Sequence, residues 1–249
     1  MIPGVMVPMK NLKFMLVLAG ALMLVALSLR SQNVRTPGAY GILETGSRYR
    51  NETEVDSGEV WLALIQDKDK TYLKSAIVSV VYTSDPMVDA GKPDQKSTRT
   101  ISVAIPENPL FLLKGKGLAE GQIETVFLGN KFIYPGEMCE FKLQNNDFMF
   151  RAFGAATSLG PSREPLIRNY TLEYGVPPWK QNQLIKSCKI VDMDNPPEIL
   201  WAGDLNRDGF LDCIMDLANH YAAESIVLFM STPNGTSIEK VAGFSTVAD

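Results

Sequence analysis

The chain has 249 residues, 45% of them apolar, with 24 Lys and Arg against 28 Asp and Glu and a formal net charge of -4. That apolar share is ordinary for a globular protein with a full core and excludes a disordered tail. The slightly acidic balance, with no basic stripe, excludes nucleic acid as a partner.

At the N-terminus, Lys10 and Lys13 precede an apolar run from Phe14 to Leu29, which ends at Arg30 and the polar stretch SQNVRT. A short positive region followed by an apolar stretch predicts a secretory signal over residues 1–31, and hence a periplasmic or extracellular protein. Ala26 and Ser28 supply small residues for a cleavage site. The alternative is an uncleaved membrane anchor, since the run is only slightly shorter than the roughly 17 to 25 residues that span a bilayer. No cysteine lies near this segment, which excludes a lipid-modified cysteine there.

Residues 32–57 are polar, glycine-containing and weakly periodic, and read as a linker or loosely packed lead-in, with order beginning near Glu59. EVWLALIQ, the polar turn DKDK and SAIVSVVY then predict a hairpin. The segments TISVAI, ETVFLG, KFIYPGEMCEFKL, DFMFRAFG, RNYTLEYG and NQLIKSCKIV continue the pattern, separated by Asn, Asp, Gly, Pro and Ser clusters that favour turns. In MCEFKL, Cys139, Phe141 and Leu143 share one face, while Glu140 and Lys142 share the other. Only KGLAEGQ and LANHYAAE leave room for a short helix. The fold class is therefore mainly β: antiparallel sheets, sandwich-like or meander, over residues 58–195, followed by a C-terminal β segment over 196–249.

That last segment carries the most specific chemical signal. WAGDLNRDGFLD places Asp204, Asn206, Asp208, Gly209 and Asp212 in the pattern DxNxDGxxD. Oxygen groups at every second residue of a tight loop can converge on one hard cation, and the glycine adopts a conformation that a Cβ penalises. An EF-hand requires flanking helices and a Glu at the twelfth position. That position is Met215 here, and Pro196 and Pro197 leave only EILWAG before the loop. The expected site is of β type, with calcium held by the side chains of Asp204, Asn206, Asp208 and Asp212 and the carbonyl of Phe210. Arg207 is expected to point into solvent, and Asp216 to sit on the strand CIMDL. The pattern occurs once, so the chain is not by itself a propeller with the loop in several blades.

GDLNRDGFLD, with the runs CIMDL, SIVLFMS and KVAGFS behind it, resembles an FG-GAP or VCBS-type calcium repeat, the blade unit of integrin-α propellers and of many exported bacterial proteins. The resemblance implies a blade-like β-meander carrying one calcium ion on Asp204, Asn206, Asp208, Phe210 and Asp212.

Other chemistry is thinly represented. His220 is the sole histidine, no GxSxG surrounds a serine, and KGKG at 114–117 lacks the P-loop spacing, so these read as a loop histidine and a turn. Cys139, Cys188 and Cys213 permit one disulfide in an exported protein, or three buried thiols. Of Trp61, Trp179 and Trp201, buried packing is expected except for Trp179, which follows Val-Pro-Pro. The reading that results is an exported calcium-binding β protein with a binding or structural role and a protein or carbohydrate partner. The alternative is a secreted hydrolase with a structural calcium and catalytic carboxylates that the sequence does not single out.

Overall fold

The computed structural model describes residues 40–50, 55–84, 89–90, 96, 98–157, 165–179, 182–220 and 223–247, all within one compact unit spanning Gly38–Asp249. The secretory signal expected over 1–31 lies outside the described residues. Among those described, no helix is long and apolar enough to cross a membrane.

The described residues are all β, as the turn-punctuated alternation predicts. Its strands are β1 (Gly41–Leu43), β2 (Arg48–Arg50), β3 (Val60–Asp67), β4 (Lys70–Thr83), β5 (Thr98–Val103), β6 (Phe111–Lys114), β7 (Gly121–Phe132) and β8 (Met138–Leu143). They continue as β9 (Asn146–Thr157), β10 (Leu166–Gly175), β11 (Gln183–Asp192), β12 (Glu198–Asp204), β13 (Asp212–Asp216), β14 (Ala223–Ser231) and β15 (Ile238–Val247). The larger sheet runs β1-β6-β3-β4-β7-β12-β13-β14-β15, with β5 on β4 and β2 on β5. β15 returns to β1, and its Phe244 meets Tyr49 of β2 edge-on at 5.2 Å, so this sheet curls toward a barrel. The smaller sheet is β11-β10-β9-β8. Every described pairing is antiparallel.

The expected hairpin is β3–β4, closed at Asp67↔Lys70 with Lys68 at φ 56. β4 serves two neighbours on its other edge: Thr71–Leu73 pairs with β7, and Val78–Thr83 pairs with β5. ETVFLG and the following KF form the single strand β7. The Gly129-Asn130 pair between them is a bulge against β12 rather than a turn.

Two local expectations are corrected. KGLAEGQ is not a helix: Gly117 takes φ 83 and Gly121 φ 122, both outside the helical region, and β7 begins at Gly121. LANHYAAE is not one either over its described residues. The Leu217 N–H bonds back to Ser225 O at 2.9 Å, which closes the β13–β14 turn. Order also begins before Glu59. β1 and β2 lie within the lead-in and place Ile42, Leu43 and Tyr49 in the core, because β6 and β5 offer them open edges.

The core is divided by β12, β13 and β14. Ile199, Ala202, Cys213, Met215, Val227 and Phe229 face the smaller sheet. Trp201, Ile214, Ile226, Leu228 and Met230 face the interior of the curled sheet with Leu64, Leu73 and Leu113. A third cluster, around Tyr49, Trp61 and Ile101, lies under β2, β3 and β5. Strands buried on both faces need near-continuous apolar runs, and SIVLFM and CIM supply them.

Candidate metal centre

β12 ends at Asp204 and β13 begins at Asp212, so the loop between them joins two paired neighbours, with Gly203↔Asp212 as the last rung. Gly209 stands at φ 84, the conformation expected of the loop glycine, and Arg207 shares it at φ 62.

Within the loop the acids bind backbone. Asp204 accepts the Asp208 N–H at 3.0 Å on Oδ1 and the Gly209 N–H at 2.8 Å on Oδ2. Asp208 accepts the Phe210 N–H at 2.9 Å, and the Asn206 amide donates to its other oxygen at 2.8 Å. Asp212 accepts the Leu205 N–H at 2.8 Å on Oδ2, while its Oδ1 takes the Ser231 N–H at 2.8 Å. The Ser231 hydroxyl lies 3.0 Å from Asp212 Oδ1 and 3.2 Å from Asp208 Oδ2. A hydroxyl has one proton, so it can donate to only one of the two carboxylates at a time.

Burial sharpens the electrostatics. Asp212 is fully buried and Asp204 nearly so. Desolvation is the largest cause of the rise in both carboxyl pKa values, bringing Asp212 to about 7 even though Ser231 and Leu205 donate to it. The Asp208 charge raises each further. Among the described residues, no ion pair reaches Asp204, Asp208 or Asp212.

The loop also ties down three neighbouring segments. Arg207 is solvent-exposed, as expected, and its guanidinium donates to the carbonyls of Ala119, Glu120 and Gln122 at 3.1–3.2 Å, fastening the turn that leads into β7. Asn146, at the tip of the β8–β9 hairpin, donates to Gly209 O at 3.2 Å. Phe210 packs over Gly235, where a Cβ would stand 2.0 Å from the ring.

The structure thus brings Asp204, Asn206, Asp208, Phe210 and Asp212 into one loop. Among the described residues, no three His, Cys, Asp or Glu side chains come together in metal-binding geometry. The carboxylate oxygens are turned instead to the N–H groups above. Ser231 went unread in the sequence, since it lies 19 residues beyond Asp212 and no local pattern links the two. Asp216 sits on β13 as expected and accepts the Ala218 and Ser225 N–H groups at 2.8 and 2.9 Å.

The remaining candidates resolve simply. His220 Nε2 stands 4.0 Å from Asp192 Oδ2 on an exposed turn. Cys139, Cys188 and Cys213 are free thiols, and burial raises the pKa of Cys139 and Cys213. Trp61 and Trp201 are buried, and Trp179 is 39% exposed. Comparison with family models, with curated proteins and with solved structures found no match to this chain.

Proposed function

We propose that this is an exported calcium-binding β protein in which the ion steadies the C-terminal strands, and whose role is binding or structural. One observation carries the reading. Three carboxylates, two of them buried, share a loop with an asparagine and meet a serine hydroxyl from β14, and among the described residues no cation pairs with them. An all-oxygen set of this kind suits a hard cation, and the β-strand flanks suit a loop of the FG-GAP or VCBS type. Asp204, Asn206, Asp208 and Asp212, with the Phe210 carbonyl, would hold the ion. Its contribution would be charge neutralisation and cross-linking of the β12–β13 turn.

Export supports the reading, because calcium is plentiful outside the cytoplasm. For an affinity of roughly 0.1 mM, the tight end for extracellular modules, about 1 mM calcium adds about 1.4 kcal/mol of apparent stability. In a domain of this size that corresponds to a melting-temperature rise of about 3–6 °C over EGTA. Asp208→Ala should abolish the difference. An identical melt in calcium and EGTA, together with no heat on calcium titration, would sink the proposal.

A further inference from the structure

Apart from the Asp204–Asp212 loop, a cleft of about 430 Å³ lies between the β8–β9 hairpin and the turn after β10, lined by Glu140, Lys142 and Asp147 and by Phe141, Phe148, Pro177 and Trp179. Its size falls within the roughly 300–1,000 Å³ of small-ligand sites. Trp179 presents its indole there although it is a large apolar residue, and it does so from φ 60, a conformation that bulky side chains rarely adopt. Its N–H bonds back to Val176 O at 3.0 Å, so the turn is closed. The ring is seated against Gly175, where a Cβ would stand 3.4 Å from Trp179 Cε3 and 2.6 Å from Asn182 Oδ1. Asn182 is held in turn by Glu173, at 3.0 Å.

The opposite wall sets three charged side chains of mixed sign beside Phe141 and Phe148. Lys142 and Asp147 are direct cross-strand partners on β8 and β9, and Glu140 lies two residues before Lys142 on the same wet face. An anion entering the cleft meets Glu140 and Asp147, and a cation meets Lys142. A neutral ligand with many hydroxyls meets neither repulsion. Its O–H groups donate to the two carboxylates and accept from the ammonium, while an apolar C–H face lies on the exposed indole.

We propose that this cleft binds a neutral saccharide, with Trp179 as the stacking platform and Glu140, Lys142 and Asp147 as the hydrogen-bonding wall. The site does not rest on the calcium reading. The cleft is solvent-open and the protein's role there is to hold the sugar.

Trp61 and Trp201 are buried, so a change in intrinsic fluorescence on ligand addition reports mainly on Trp179. Chitotetraose, cellotetraose and maltotetraose are each titrated into the full chain to roughly 10 mM, by fluorescence and by calorimetry, in calcium and again in EGTA. At least one should shift the emission saturably and release heat. Trp179→Ala should weaken that sugar by about tenfold or more, and Trp179→Phe by less. Glu140→Gln and Asp147→Asn should each weaken it without moving the melting temperature. If Trp179→Ala fails to melt cooperatively, Trp179→Phe and the two wall variants carry the comparison. Failure of all three sugars in both conditions overturns the proposal. So does unchanged affinity in Trp179→Ala or in both wall variants, or saturable binding of a proline-rich decapeptide with the sugars inert. A sugar that binds in EGTA separates this site from the metal loop.

Discussion

The two halves of the core are built by opposite rules. β12–β14 are covered on both faces, so nearly every side chain there is fixed by packing. The four-stranded sheet β8–β11 is covered on one face only. Its other face keeps Met138, Phe153, Leu184 and Ile190 exposed among charged neighbours, with Arg151 4.5 Å over the Phe153 ring. In the first region residue choice is dictated by volume. In the second it is freer, and the cleft and the exposed Phe153 lie there.

This contrast can be broken by experiment. Trp201 is fully buried and its indole N–H donates to Thr125 Oγ1 at 3.1 Å, so Trp201→Ala should cost about 3–5 kcal/mol in denaturant unfolding. Phe153→Ala, on the wet face, should stay within about 1 kcal/mol. Equal losses at the two sites would remove the distinction between the faces. Arg207→Ala should fall between them. It gives up charge-assisted bonds to three carbonyls but is solvent-exposed, so a loss of about 1 kcal/mol is expected, read as a lower denaturant midpoint at unchanged slope.

The smallest effect concerns pH. Glu198 opens β12 opposite Asp216. Burial, and after it the Asp216 charge, raises its carboxyl pKa, although the Asn130 side chain donates to it. A carboxylate raised in the folded state opposes folding at pH values above its folded pKa, and that cost disappears as pH falls below the unfolded value. Glu198→Gln should therefore raise the melting temperature at pH 8, with a gain that shrinks toward pH 4. A gain independent of pH would assign the effect to packing instead.

Local chemistry was legible in the sequence. The β3–β4 hairpin, the left-handed Gly209, the strand position of Asp216 and the exposure of Trp179 against the burial of Trp61 and Trp201 all follow from residues adjacent in the chain. The pairing of β7 with β12 was not legible, nor the strands β1, β2 and β6. Strand partners far apart in sequence leave no periodic signal. The same limit hid Ser231 and Asn146, which reach the Asp204–Asp212 loop from β14 and β9. It also hid the acceptors of the exposed Arg207, three carbonyls that lie more than 80 residues earlier.

The bond from Asn146 to Gly209 O joins the Asp204–Asp212 loop to the hairpin whose next residue, Asp147, lines the cleft. A cation held by the loop would restrain Gly209, and with it the tip of that hairpin. Thermodynamic linkage makes such a connection reciprocal: whatever factor the ion adds to the affinity of a cleft ligand, the ligand must add to the affinity of the ion. A single amide at a strand turn would then let occupancy of the loop set how tightly a surface 63 residues upstream of Gly209 is held ready.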